Sequence, residues 1–203
     1  IGGSKRDQAN SIKINAVNEI YIAGYTSSDN FPTTNGAFDR TYNDTIINNS
    51  DAFISKLNAT GSLLIYSSYI GGSNNDYIIN MVIDEQGNAY VTGGTFSANF
   101  PTTNGGYDQT HNGSIDCFVT KLNSAGTALD YSTFIGGYSD EEAFALILDR
   151  KHNIYITGHT RSANFPTTTG VYNQTINGNV DVFISKLNTS GSALFFSTFV
   201  GGN

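Results

Sequence analysis

The sequence predicts an all-β fold of three tandem four-stranded antiparallel repeats, each of about 65 residues. Two kinds of observation predict it. The first is a fixed period: Ile1-Gly2-Gly3 returns as Ile70-Gly71-Gly72, Ile135-Gly136-Gly137 and Val200-Gly201-Gly202, with spacings of 69, 65 and 65 residues. Asn30-Phe31-Pro32-Thr33-Thr34 keeps the same spacing at Asn99 to Thr103 and Asn164 to Thr168, and these segments hold all three prolines. Asp51-Ala52-Phe53-Ile54-Ser55-Lys56-Leu57-Asn58 is matched by Asp116 to Asn123 and by Asp181 to Asn188. A period of this length marks a supersecondary unit repeated along the chain. The second observation is local: runs of five to eight residues rich in Tyr, Phe, Ile, Val and Thr, bounded by Gly, Asn and Asp, read as strands and not as helices.

In the second copy the strands fall at Asn80–Asp84, Ala89–Thr95, Cys117–Leu122 and Ala128–Ile135. Asp84-Glu85-Gln86-Gly87-Asn88 supplies hairpin chemistry between the first two, and Asn123-Ser124-Ala125-Gly126-Thr127 between the last two. Asn58-Ala59-Thr60-Gly61-Ser62 repeats the second hairpin in the first copy. On the third strand, Phe53, Ser55 and Leu57 point one way and Ala52 and Ile54 the other, so both faces carry apolar groups and want cover. Radially stacked propeller blades give that cover, each small sheet packing between two neighbours. The chain therefore reads as a single propeller-type domain, 1–203, with blade 1 at 1–70, blade 2 at 71–135 and blade 3 at 136–203. The excess over a usual blade lies in the link from second to third strand, Phe96 to Ile115, expected to be ordered by its Phe-Pro anchor. The four extra residues of the first copy fall between Thr41 and Asp51, in that link.

Composition narrows the class. A hydrophobic content of 38% over 203 residues supports one substantial core, and no apolar run approaches the ~18 residues of a membrane helix. The first residues already belong to a repeat, so a mature or trimmed chain is expected. A net charge of −7 with only ten Lys plus Arg argues against a nucleic-acid surface. Cys117 aligns with Ala52 and Val182 and reads as a small buried hydrophobe. Six Asn-x-Ser/Thr sequons, at Asn43, Asn48, Asn58, Asn112, Asn173 and Asn188, are candidate glycosylation sites and lean toward the cell exterior.

The run Asn88-Ala89-Tyr90-Val91-Thr92-Gly93, Asn99-Phe100-Pro101-Thr102-Thr103, Cys117-Phe118-Val119-Thr120-Lys121-Leu122-Asn123 and Tyr131-Ser132-Thr133-Phe134-Ile135-Gly136-Gly137 resembles the bacterial and archaeal β-propeller repeat SBBP. That resemblance implies a propeller in a cell-surface or secreted setting, and it brings no catalytic residue to transfer. Three blades make an incomplete ring, so end faces are expected to need cover from a partner: a second copy, closing six blades about a twofold axis or stacking head to tail, or remaining blades of a larger parent protein.

Chemistry is sparse. His111, His152 and His159 occupy different repeat positions, and no nucleophile, zinc or nucleotide motif is present, so no enzymatic activity is expected. Asp7, Asp76 and Glu141 recur after the Gly-Gly turn, and Asp51, Asp116 and Asp181 recur at the third strand. Repetition in every copy favours a turn-fixing role, with structural calcium at Asp7, Asp76 and Glu141 as the alternative and no other cofactor expected. Lys56, Lys121 and Lys186 read as blade-edge residues. Function, if local, belongs where the copies differ: Tyr25, Gly94 and His159 at one position, Ser27, Phe96 and Arg161 at another. Tyr25, Phe96, His159 and Arg161 are thus the candidate ligand residues, suited to a glycan by aromatic stacking. The expectation is an extracellular structural or interaction module, with a lectin-like propeller as the alternative and a propeller hydrolase or lyase behind both.

Overall fold

A computed structural model describes residues 1–43 and 49–202. The Asn48 sequon and much of the insertion lie outside the described residues. Twelve strands follow in chain order: β1 (Asp7–Ile14), β2 (Ile20–Thr26), β3 (Asp51–Leu57), β4 (Leu64–Ile70), β5 (Asp76–Ile83), β6 (Ala89–Thr95), β7 (Asp116–Leu122), β8 (Leu129–Ile135), β9 (Glu141–Leu148), β10 (Ile154–Thr160), β11 (Asp181–Leu187) and β12 (Leu194–Val200). They form three antiparallel sheets, each a simple meander of four consecutive strands. No helix among the described residues is long and apolar enough to cross a membrane.

The strand assignments agree with the pattern except at β5, which begins at Asp76 and not at Asn80. The cause is a bulge: the register with β6 shifts between Ile78 and Asn80, which breaks the two-residue alternation that periodicity relies on. The same irregularity lies between Ala9 and Ser11 in β1 and opposite Thr157 and Gly158 in β9. The tight turn before β6 needs a left-handed residue, and Gly87 fills it at φ 83°. Its counterparts are Asn18 and His152, at φ 63° and 60°.

Two apolar cores lie between the sheets. Tyr21, Ala52, Ile54, Tyr66 and Ile70 of the first sheet meet Ile78, Met81, Val91, Phe118 and Phe134 of the second. Tyr90, Cys117, Val119, Tyr131 and Ile135 of the second meet Leu146, Ile156, Phe183 and Phe199 of the third. Sheet faces alternate as the β3 pattern predicted, with Ala52 and Ile54 in one core and Phe53 in a separate cluster with Phe31 and Tyr69.

Each long link is anchored at its Phe-Pro segment. Phe31, Phe100 and Phe165 are buried, each lying 4.4–4.6 Å, ring centre to ring centre, from Phe53, Phe118 and Phe183 respectively. Thr34, Thr103 and Thr168 donate backbone N–H bonds to the carbonyls of Ser67, Ser132 and Ser197 on the outer strand. Lys56, Lys121 and Lys186 run along the sheet edge to Glu19, Asp130 and Asp149 at 2.6, 2.9 and 3.2 Å, each over a tyrosine ring.

Candidate functional site

The recurring carboxylates organise turns. Asp7, Asp76 and Glu141 accept the N–H of Gly3, Gly72 and Gly137 at 2.7, 2.6 and 2.6 Å. Asp7 and Glu141 also accept the hydroxyls of Thr26 and Thr160, and Asp76 that of Ser97. Asp51, Asp116 and Asp181 accept the N–H of Asn43, Asn112 and Asn177 at 2.8, 2.8 and 2.7 Å. A carboxylate that accepts backbone N–H groups fixes the turn that supplies them. Asp7, Asp76 and Glu141 belong to three different sheets and are not brought together. Among the described residues no three His, Cys, Asp or Glu side chains form a metal-holding group.

The two carboxylate series meet at each junction between sheets. Gly71 separates Asp51 from Asp76: a Cβ there would lie 2.6 Å from one carboxylate and 3.0 Å from the other. At the next junction Asp116 and Glu141 are both fully buried. Burial pushes the Asp116 carboxyl up to about 6, and the Glu141 charge adds to it, against the lowering effect of the Asn112 N–H.

The copy-to-copy differences gather at one end of the inner strands. A cavity of about 700 Å³ there is lined from all three sheets, by Lys5, Arg6, Tyr25, Ser27 and Ser50, then Asn75, Tyr77, Phe96 and Ile115, then Glu142. Two of the four candidate ligand residues, Tyr25 and Phe96, share this lining. The other two do not: His159 lies 5.2 Å from the Phe144 ring, and Arg161 reaches Asp140 at 3.8 Å. Arg6 sits over the Tyr25 ring at 5.1 Å, and both hydrogen-bond Gln8, at 3.0 and 2.9 Å. Tyr77 crosses the junction and donates its hydroxyl to Glu142. Burial, then that carboxylate, raises the Tyr77 pKa and keeps the phenol protonated. The ring has room because position 94 is glycine: a Cβ at Gly94 would meet the Tyr77 hydroxyl at 2.6 Å.

Arg6, Asn75, Tyr77 and Glu142 are not among the residues singled out from the sequence, although it carries a signal for them. Positions flanking the recurring carboxylate read Arg6, Asn75, Asp140 before it and Gln8, Tyr77, Glu142 after it, as dissimilar as the Tyr25, Gly94, His159 position. The latter three face that position directly, since Gln8, Tyr77 and Glu142 pair with Tyr25, Gly94 and His159.

A second feature is the exposed sheet faces at the two ends. Ala52 and Cys117 are fully buried at one repeat position, and so are Ile70 and Ile135 at another, but the third-copy equivalents Val182 and Val200 are 46% and 41% exposed. On the opposite end Ile12 is 65% exposed, where its equivalents Met81 and Leu146 are buried. A groove of about 350 Å³ lined by Leu146, Ile147, Tyr155, Ile156, Thr157 and Ile184 runs along the third sheet. Its Tyr155 and Ile184 correspond to Tyr21 and Ile54, which share the first core with Met81.

The described sequon asparagines hold turns. Asn58 and Asn188 accept N–H groups from Ser62 and Ser192 at 2.9 Å, as the non-sequon Asn123 does from Thr127. The Asn43 and Asn112 amides bond Asp39 and Asp108, and Asn173 accepts the Thr175 N–H.

No curated protein matches the chain. Residues 65–101, from β4 through the first hairpin of the second sheet to Pro101, match the family model SBBP, beta-propeller repeat, so the chain carries the repeat its motifs resemble and is a propeller-type module.

Proposed function

We propose that this chain is an extracellular structural and interaction module without enzymatic activity, working by blade-on-blade docking to a second copy of itself. The exposure of Val182, Val200 and Ile12 at positions buried in the other copies carries the reading. The third sheet offers the face that the first offers to the second, and the first sheet offers the face that receives it. A repeat supplies both halves of the contact. Ile12 of one copy enters the groove lined by Tyr155 and Ile184 of the other, as Met81 packs beside Tyr21 and Ile54. Removing such apolar surface from water favours association by about 25 cal/mol per Å² buried, before the cost of lost motional freedom.

Two copies docked at both end faces form a closed twofold assembly; docked at one, they propagate as a chain. The surface setting draws on the SBBP repeat and the sequons. Light scattering coupled to size exclusion at tens of micromolar should return a multiple of the 21.8 kDa chain mass. Val182→Asp should return a folded monomer, since Val182 is already half exposed and the change buries no charge within one copy. A wild-type monomer across that concentration range sinks the proposal, as does an assembly indifferent to Val182→Asp.

A further inference from the structure

We infer that the cavity at the inner end of the three sheets is a binding site for an acidic saccharide, a pyranose ring carrying a carboxylate. The walls supply three kinds of group. Tyr25 and Phe96 come from different sheets and both line the cavity, Phe96 with 37% of its surface open. The corresponding residues Ser27 and Arg161 show that the repeat itself requires no aromatic there. Aromatic faces beside open volume suit the C–H face of a sugar ring.

The second group is cationic. Arg6 is held over Tyr25 by Gln8 and has no carboxylate partner among the described residues. A guanidinium oriented in this way presents its remaining donors as a fork for a carboxylate. Lys5 stands beside it, with Asp29 across 3.7 Å on the surface, a contact worth little, and the Tyr42 ring 5.9 Å away.

The third group accepts and exchanges hydroxyl hydrogens. Glu142 uses one oxygen for Tyr77 and leaves the other without a partner among the described residues, while Asn75, Ser27 and Ser50 add amide and hydroxyl groups. A purely anionic ligand would leave the Glu142 carboxylate unanswered and repelled. A polyhydroxylated ring with one carboxylate satisfies both ends of the site. The volume of about 700 Å³ lies inside the range of small-ligand sites, ~300–1,000 Å³. Every polar position named here differs between the copies, Ser50 included, whose equivalents are Ile115 and Val180, so the repeat fold does not account for the set.

The test is titration calorimetry on the whole chain with a panel of oligosaccharides ending in glucuronate, galacturonate or N-acetylneuraminate, beside the methyl esters of the same sugars. At least one free acid should bind with a Kd below about 1 mM, and its ester at least tenfold more weakly. Arg6→Gln and Phe96→Ala should each weaken binding tenfold or more while melting within a few degrees of wild type. Absence of binding across the panel overturns the inference. So does equal affinity for acid and ester, or full affinity in folded Arg6→Gln. Because the cavity is contained in one chain, Val182→Asp should bind as wild type does, which separates this outcome from that of the docking proposal.

Discussion

Gly93→Ala is expected to lower stability by about 3 kcal/mol, a fall in Tm of roughly 6–12 °C for a chain of this size. Gly93 lies in β6 opposite the β5 bulge, where the extra residue brings the neighbouring backbone across the strand. A Cβ at Gly93 would lie 1.9 Å from the Tyr77 carbonyl oxygen and 3.0 Å from the Ile78 Cα. Neither is the tip of a flexible side chain, so relief requires the bulge itself to shift. The bulge also aims Tyr77 at Glu142, and the substitution should therefore loosen the cavity as well as the sheet. Gly105→Ala is the control: its φ is +84°, but nothing lies within 4 Å of a Cβ there, so it should cost only the left-handed backbone term of about 1 kcal/mol. Thermal melts of the two variants followed by circular dichroism decide the matter. Equal shifts would mean that strain at the bulge is absent.

Gly24, Gly93 and Gly158 stand at one repeat position, and a Cβ at any of them would meet a backbone carbonyl oxygen at 1.8–1.9 Å. The sequence displays the recurring glycine but not its reason, because a bulge is a relation between two strands and leaves no periodic mark on either. For the same cause the sequence pattern starts β5 at Asn80 and not at Asp76. Hairpins, by contrast, are local, and the turn at Asp84 to Asn88 was legible because the Asp84 carboxylate takes the Asn88 N–H at 2.9 Å from within five residues. Copy-to-copy difference exposed Tyr25 and Phe96, but it also flagged His159 and Arg161. Those two share the repeat position and not the cavity, and meet Phe144 and Asp140 of their own repeat instead. Repetition reports equivalence within a sheet; which sheets surround a given residue is decided by the stacking.

Asp116→Asn is expected to raise stability at pH 8 by about 2 kcal/mol, roughly 4–8 °C in Tm, while changing it little at pH 4. In the folded chain burial holds the Asp116 carboxyl at about 6, above its ordinary value of 3.8, with Glu141 adding to the shift and His111 opposing it. A carboxyl whose folded value lies above its unfolded value binds its proton more tightly in the native state. Its contribution is therefore complete below pH 3.8 and is lost as pH rises through about 6. A shift of about two units corresponds to at most about 3 kcal/mol. Asparagine keeps an oxygen for the Asn112 N–H and gives up the weaker 3.2 Å bond from the Gly113 N–H, which offsets about 1 kcal/mol of that gain. Its amide can also donate toward Glu141, which a second carboxylate cannot do once ionised. Denaturant melts of both proteins between pH 4 and 8 should show curves that coincide at the acid end and diverge above pH 6. A variant that is less stable at pH 8, or whose difference from wild type is independent of pH, would show that Asp116 is held ionised by its turn N–H groups.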